Sequence, residues 1–173
     1  MKVAEVLIGG PFDRAASKVK AGTVITRIGG EEVESLASLP TLLDHMSGER
    51  VRIDYQGGSE VVKPINLGME RELLYQRWVE QRRKEVDSLS KGRLGYVHIR
   101  SMNGSSYRDV YDNLFGLYNA REGVVVDPRY NGGGHLHEDV EVLFSGTKYL
   151  DQVPREHLVS EQPRKRWKKP SVM

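Results

Sequence analysis

The chain contains 173 residues, carries a formal net charge of +2 and has no cysteine. The lack of cysteine excludes disulfides, thiol nucleophiles and cysteine-based zinc sites, and so small a charge does not by itself indicate a nucleic-acid partner. No apolar run approaches the roughly 20 residues of a transmembrane helix. We therefore expect one globular domain or two small ones without a membrane span, and the compartment, cytoplasmic or periplasmic, stays open.

Residues 1–67 predict a small mixed β module. Apolar residues at Val3–Ile8 favour a first strand, and Asp13 favours capping of a short helix that runs through Lys18. A second strand is predicted at Val24–Ile28, where a pair of glycines closes it.

A short helix and a hairpin are predicted next. The apolar residues at helical spacing are Leu36, Leu39, Leu42, Leu43 and Met46. Pro40 falls inside this set, so the helix is predicted to start there, with proline in its first turn. Val51–Tyr55 and Val61–Leu67, separated by two glycines, predict the hairpin.

A charged helix is predicted to join this module to a second one. Residues 70–90 are mostly polar, as expected of a helix on a surface, and Gly92 is a suitable stop. The inner stripe is predicted to be Leu74, Trp78, Val86 and Leu89.

The second module is predicted to be a βαβα unit. Its strands are expected at Leu94–Ile99 and Val124–Val126, the latter buried on both faces, and the order implies a parallel pair with a right-handed crossover. Ser106 and Asp109 resemble a capping box for the first helix. The residues that predict the two helices are Tyr107, Val110, Tyr111, Leu114 and Tyr118, then Leu136, Val140, Leu143 and Phe144. Little regular structure is expected at 151–169, and a new strand is expected from Ser171.

The most informative segment is the glycine loop, Gly132, Gly133 and Gly134, which follows the buried strand directly. Ligands of open α/β folds bind at the carboxyl ends of parallel strands, and glycines let the backbone turn its N–H groups toward them. Such groups can hold a phosphate or the oxyanion of an acyl-transfer intermediate. A tight turn without chemistry is the alternative, and the residues alone leave both open.

Other chemistries match the chain less well. The glycine loop lacks the Lys-Ser or Lys-Thr of a phosphate loop, and His137 stands where a dinucleotide fingerprint needs a glycine. His135 and His137 would point to nearly opposite sides of a helix, so we predict no metal site and no cofactor. No Gly-x-Ser-x-Gly elbow occurs, and no histidine stands beside a recognisable nucleophile.

The basic segment Arg164–Lys169 offers another alternative. Its cations could grip an acidic polymer while Trp167 stacks on it. A solvated loop explains the same run of charges, and we expect no nucleic-acid partner.

The chain resembles the tricorn branch of the C-terminal processing proteases, which are serine peptidases with a PDZ domain and a crotonase-like core. The sequence Tyr130-Asn131 before three glycines is the most specific part of this resemblance. The segments that carry it are Val6–Asp13 and Lys20–Gly30, similar to the middle of a bacterial PDZ domain, and Trp78–Lys84, Gly95–Ile99 and Gly123–Gly134, similar to the protease core and its approach.

The resemblance implies a fold of mixed α+β and α/β class. It places a PDZ-like β module, incomplete at its N-terminal side, at residues 1–68 and a linking helix at 69–92. Residues 93–173 would be a βαβα piece of the crotonase-like protease core. Peptides or unfolded proteins would be the substrates, no cofactor would be needed, and a homo-oligomer is one arrangement that the resemblance allows.

The resemblance also assigns site residues. The backbone N–H groups of Gly132, Gly133 and Gly134 correspond to the oxyanion loop, with Tyr130 and Asn131 shaping it. The helix that carries Leu36, Leu39 and Leu43 corresponds to one wall of a peptide groove.

The family's nucleophilic serine follows one further strand, and its histidine precedes the PDZ domain. The chain is therefore expected to be an internal fragment of a serine endopeptidase and to be inactive alone, with Ser171 not its nucleophile. The alternative is a non-catalytic PDZ-type module that binds peptides by strand addition.

Overall fold

The computed structural model describes residues 1–173, which form two compact units, Met1–Trp78 and Val79–Met173. The strands are β1 (Ile25–Ile28), β2 (Glu31–Glu32), β3 (Val51–Tyr55), β4 (Gly58–Val62), β5 (Leu94–His98), β6 (Gly123–Asp127), β7 (Leu150–Gln152), β8 (Ser160–Gln162) and β9 (Ser171–Val172). The α-helices are α1 (Leu39–Leu42), α2 (Leu67–Leu89), α3 (Gly104–Asp112) and α4 (His137–Ser145). None of these helices combines the length and the apolar character that a bilayer crossing requires.

The first unit contains an antiparallel sheet in the order β2-β1-β3-β4. The alternation of buried Val51 and Ile53 with exposed Arg52 places one face of β3 in a core, as the period of a strand requires. The predicted second strand and the hairpin are both confirmed, although the hairpin's second strand is Gly58–Val62. The core residues of this sheet are Ile25, Ile28, Val51, Ile53 and Val62.

Two predictions at the start of the chain are wrong. Val3–Ile8 forms no strand, and only the first three residues lie beside β1, where Ile25 N–H donates to Met1 O at 2.7 Å. Asp13 caps no helix, because its carboxylate accepts the Gly9 N–H at 2.8 Å and closes a turn instead. A short acidic side chain that bonds a nearby amide competes in this way with helix formation.

The predicted leucine helix is present but short. Leu36–Ser38 forms a single 3-10 turn that leads into α1, and Pro40 lies in the first turn of α1 as predicted. Only Leu42 of α1 is buried.

Helix α2 forms as predicted but begins earlier, and its inner face differs in part from the predicted one. Asn66 caps it by accepting the Met69 N–H at 2.8 Å. Leu73 is its buried residue; of the predicted inner stripe, Trp78 and Val86 are half-buried, whereas Leu74 and Leu89 are exposed. The stripe is therefore confirmed only in part, because the surrounding positions are nearly all polar and give a weak periodic signal.

The second unit contains a three-stranded parallel sheet in the order β5-β6-β9. The predicted strands at 94, 124 and 171 and the predicted helices between them are therefore confirmed. One face of this sheet packs against α3, the π-helical turn Asn113–Leu117 and α4. The buried residues on that side are Val97, Ile99, Val110, Leu114, Tyr118, Val124, Val126, Val140, Leu143 and Trp167.

The cap of α3 differs from the prediction. Asn103 is the N-cap, and its side chain accepts the Ser106 N–H at 3.0 Å, while Ser106 itself is buried inside the first turn. Asparagine is among the best capping residues, so Asn103 was a signal in the sequence that the Ser106–Asp109 pairing obscured.

The region after α4 is more ordered than predicted. Strands β7 and β8 form an antiparallel hairpin at residues expected to lack regular structure. Trp167 is only 6% exposed, and its backbone N–H donates to Leu143 O at 2.6 Å. Trp167 is therefore a core residue. The prediction of a solvated loop is wrong at this position, and the indole is not exposed for stacking on an acidic polymer.

The cations around Trp167 are engaged within the chain. Glu161 binds both Arg166 and Lys168, and these two cations, Lys168 foremost, lower the pKa of its carboxyl to about 2. The other partners are Ser160 for Arg164, the Tyr111 ring for Lys165, and the carbonyl oxygens of Asn119 and Arg121 for Lys169. The segment thus holds the unit together by charge as well as by burial of its tryptophan.

Candidate active site

A buried carboxylate marks the carboxyl end of β6. Asp127 is 6% exposed and accepts the Tyr96 hydroxyl at 2.7 Å, the Arg129 backbone N–H at 3.0 Å and the Arg129 guanidinium at 2.5 to 3.0 Å. Tyr96 and Asp127 reach one another because both lie on the sheet face opposite the helices. The charge is therefore fully partnered, as burial of a carboxylate requires.

The protonation of this cluster follows from its contacts. The Arg129 guanidinium holds the pKa of Asp127 far below its usual value, and the Tyr96 hydroxyl acts in the same direction against the effect of burial. Burial, followed by the hydrogen bond to Asp127, raises the pKa of Tyr96 well above its usual value. At neutral pH the cluster is an ionised carboxylate between a neutral phenol and a guanidinium, which makes it a fixed support and not a proton-transfer group.

Asp127→Asn is expected to lower the free energy of unfolding of the chain by about 2 kcal/mol at pH 7, because the charge-assisted bonds of this carboxylate to Tyr96 and Arg129 are weakened. The folded-state pKa of Asp127 lies below its unfolded value near 4. Its stabilising contribution is therefore complete above that value and is lost as the pH falls toward the folded-state pKa. Urea unfolding at pH 7 and pH 3 should show the difference between wild type and variant shrinking in acid.

The matched control is Asp112→Asn, an exposed aspartate at the end of α3. It should change the free energy of unfolding by no more than about 0.5 kcal/mol. An Asp127 variant as stable as this control at pH 7 would contradict the assigned network.

The segment between Asp127 and the glycine loop is held at several points. The Arg129 carbonyl oxygen lies 2.8 Å from His98 Nε2, so His98 holds this segment from the end of β5. Asn131 N–H donates to Pro128 O at 3.1 Å, and its side-chain Nδ2 donates to Ile99 O at 2.7 Å. Asn131 therefore ties the loop that follows β6 to the end of the neighbouring strand.

The backbone amides of the glycine loop differ in their partners. Gly132 N–H donates to Arg100 O at 2.9 Å, and Gly133 N–H donates to Asn131 Oδ1 at 2.7 Å. Gly134 N–H makes no hydrogen bond within the chain, and the residue is exposed. Of the three predicted oxyanion donors, only the Gly134 amide is available to a ligand in this conformation.

The loop geometry requires glycine most strictly at Gly134. Its φ is +134°, and a Cβ there would lie 2.2 Å from Met102 O, a backbone atom that cannot move aside cheaply. Gly133 also has a positive φ, +81°, but a Cβ there would meet open space. Met102 N–H and the Ser101 hydroxyl both donate to Gly133 O, at 2.8 and 3.2 Å. The segment that follows β5 therefore also holds the loop in place.

Neither a nucleophile nor a metal centre accompanies the glycine loop. Ser171 lies in β9 and is exposed, and no serine hydroxyl of the chain bonds to a histidine ring. His135 and His137 are exposed, and no group of three potential ligand residues could hold a metal ion. The site is thus an amide-bearing loop on a rigid support.

The second predicted site lies in the first unit. Leu36, Leu39 and Leu43 line one apolar cavity of about 1080 Å³, together with Phe12, Ile53 and Val62. Leu36 is 71% exposed, so the cavity opens to solvent. The structure therefore brings the three predicted leucines to one groove, although Ile25 N–H, on the strand beneath it, already donates to Met1 O.

The sequence of this chain is similar to known proteases. Residues 93–173 match the model of peptidase family S41. The chain is 35% identical over 130 residues to putative tricorn protease homolog 2 of Streptomyces coelicolor and 33% identical over 145 residues to the tricorn protease of Thermoplasma acidophilum. These alignments cover 72% and 82% of the chain but only 11% and 13% of the two relatives.

A solved structure supports the same relation. The crystal structure of the tricorn protease superimposes with a TM-score of 0.63 and 26% identity, over 89% of this chain and 15% of that one. Residues 93–173 are thus similar to peptidase family S41, and the chain is tricorn-like in sequence and structure, as the sequence resemblance indicated.

Proposed function

We propose that this chain provides the oxyanion-binding loop of a tricorn-like serine endopeptidase. The observation that carries the proposal is the Gly134 amide, which has no partner on a loop whose Gly132 and Gly133 amides are both bonded within the chain. A donor fixed in this way needs no reorganisation when negative charge develops on a substrate carbonyl oxygen. The relation to the tricorn proteases supports acyl transfer over phosphate binding.

The reaction assigns a role to each part of the site. A serine attacks the scissile carbonyl carbon while a base takes its proton, and the carbonyl oxygen becomes the oxyanion of a tetrahedral intermediate. Gly134 N–H donates to that oxygen. Asn131 and the cluster of Asp127, Tyr96 and Arg129 hold the loop in place, and Gly132 and Gly133 shape it.

We propose the same division of the chain as the sequence resemblance implies. Residues 1–68 are a PDZ-like domain, 69–92 a linking helix, and 93–173 the first part of a crotonase-like core. The antiparallel sheet of the first unit and the parallel β5-β6-β9 sheet are compatible with these assignments. The substrates are peptides or unfolded proteins, and the nucleophile and base come from residues other than these 173.

One experiment compares the activity of the 173-residue chain with that of the proposed longer enzyme. The 173-residue chain should not hydrolyse fluorogenic peptides or react with a serine-directed phosphonate, because none of its serines has a histidine partner. The longer protein that includes this chain should do both. Phosphonate labelling of Ser171 in the chain would overturn the assignment, and a longer protein that neither cleaves nor reacts would refute the protease proposal.

The apolar groove supports a second candidate, a module that binds peptides without cleaving them. Its lining of leucine and other aliphatic side chains, with Phe12, suits the apolar side chains of a bound peptide. Calorimetry with peptides ending in apolar residues tests this candidate. Micromolar binding by the isolated chain, together with an inactive longer protein, would favour it over the protease.

A further inference from the structure

The Gly134 N–H shares its peptide unit with the carbonyl group of Gly133. A peptide unit is planar and trans, so its N–H and its C=O point in opposite directions. Whatever holds the Gly133 carbonyl oxygen therefore also sets the direction of the Gly134 N–H. The partners of that oxygen consequently decide where an oxyanion could bind.

Two donors reach the Gly133 carbonyl oxygen from the segment that follows β5. Met102 N–H donates to it at 2.8 Å, and the Ser101 hydroxyl donates to it at 3.2 Å. A carbonyl oxygen has two lone pairs, so the two donors can occupy both. Hydrogen bonds to the oxygen of a peptide group polarise that group, and its N–H becomes a stronger donor. The two contacts therefore aim the Gly134 N–H and strengthen it.

The other hydrogen bonds of the glycine loop fix different peptide units. The Gly132 N–H, bonded to Arg100 O, and the Gly133 N–H, bonded to Asn131 Oδ1, belong to the two preceding units. Neither bond acts directly on the unit between Gly133 and Gly134. The orientation of that unit therefore depends on the donors to its own carbonyl oxygen.

Ser101 makes its contact with this unit through a side chain. It lies half-buried just beyond the end of β5, and its hydroxyl donates to Gly133 O. The hydroxyl is also close to the loop backbone, because a Cβ on Gly132 would lie 3.3 Å from Ser101 Oγ. Ser101 is absent from the buried core of this unit, so its contact with the loop is the feature that distinguishes it.

We infer that Ser101 is a positioning residue of the proposed reaction, which aims and polarises the Gly134 N–H through its hydrogen bond to Gly133 O. This inference rests on the proposed function. It adds a side chain that tunes the oxyanion donor, which is itself a backbone group and has no side chain to vary.

The test uses the longer protein that contains this chain. Ser101→Ala should lower kcat about tenfold, because a less firmly aimed donor binds the oxyanion less well. KM should change by less than about twofold, since the oxyanion forms only after the substrate is bound. A peptide aldehyde, whose adduct with the nucleophile carries an oxyanion, should bind about tenfold more weakly. The melting temperature should stay close to that of the wild type.

Two further variants complete the series. Ser101→Thr keeps the hydroxyl and should restore kcat and aldehyde binding to near the wild-type values. Ser105→Ala is the matched control, because Ser105 is an exposed serine in the first turn of α3, and it should change neither quantity.

Nuclear magnetic resonance of the 173-residue chain examines the same contact without relying on activity. The frequency of an amide nitrogen responds to hydrogen bonding at the carbonyl of its own peptide unit. Ser101→Ala should therefore shift the ¹⁵N resonance of Gly134, and Ser105→Ala should leave it in place. An unshifted Gly134 resonance in Ser101→Ala would contradict the contact on which the inference depends.

The kinetic outcomes separate this inference from the proposed function. A longer protein that cleaves no peptide refutes the protease function and this inference with it. A longer protein that cleaves peptides, with the same kcat in Ser101→Ala as in the wild type, refutes only the role of Ser101. A loss of kcat that comes with a lower melting temperature and unchanged aldehyde binding, or that Ser101→Thr does not restore, would show a structural serine and would also overturn the inference.

Discussion

If the proposed function is right, Gly134→Ala lowers peptide hydrolysis by the proposed longer enzyme by a factor of about 10² to 10³, the usual cost of removing one oxyanion donor. The added methyl group would stand 2.2 Å from Met102 O on a backbone with φ of +134°. The peptide unit that carries the Gly134 amide must therefore turn away from its present direction. The measurement is turnover per folded molecule, with kcat and the melting curve taken from one sample.

The control for this variant is Gly104→Ala. Gly104 begins α3, and a Cβ at this position would meet no atom within 4 Å on a backbone whose φ alanine accepts. Both its stability and its turnover should stay close to those of the wild type. If Gly134→Ala loses activity only in proportion to its unfolded fraction, the glycines merely turn the chain and the oxyanion assignment is wrong.

Trp167→Ala is expected to lower the free energy of unfolding of the chain by about 3 to 5 kcal/mol, the range for removing a large aromatic side chain from a core. The indole is nearly fully buried in the cluster beneath the parallel sheet, and Phe115 meets it edge to face with ring centroids 6.2 Å apart. Urea unfolding followed by circular dichroism measures the loss without relying on tryptophan fluorescence.

Arg164→Ala is the matched control within the same basic segment. Its guanidinium forms only long hydrogen bonds, 3.3 Å to Ser160 Oγ and 3.4 Å to Gln152 Oε1, so its removal should cost no more than about 0.5 kcal/mol. If the two variants are equally stable, the segment is a solvated loop after all and Trp167 does not support the core.

The sequence predicted the parallel unit better than the first unit. Val124–Val126 and Leu94–Ile99 are continuous apolar runs between clear turn signals, so strand type and order followed directly. Val3–Ile8 has a similar composition, but only Val3 within it bonds to the stretch before β1: its N–H donates to Thr23 O, and its carbonyl oxygen accepts from Gly22 N–H. A short run carries no information on which partner strand is within reach.

The candidate site was predicted in outline and not in detail. The three glycines after a buried strand were visible in the sequence, but which amide stays unbonded depends on Arg100 and on the Asn131 side chain. The cluster of Tyr96, Asp127 and Arg129 was missed. Its one sequence signal was a charged residue directly after a buried strand, and the partner thirty-one positions earlier becomes apparent only once the two strands are paired.

The pairing of β6 with β9 has a consequence for the order in which the second unit assembles. Val124 pairs with Ser171, and α4 and the β7–β8 hairpin lie between them in the sequence. This intervening segment must become compact before β6 and β9 can pair. Closing so long a loop costs chain entropy that local contacts do not repay, and such pairings form late. The two residue pairs that join β9 to β6 are then the first to separate when the native state fluctuates. In hydrogen exchange, the amide protons of β9 should therefore exchange well before those of the paired strands β5 and β6. The glycine loop follows β6 and so stays attached to the more stable pair of strands.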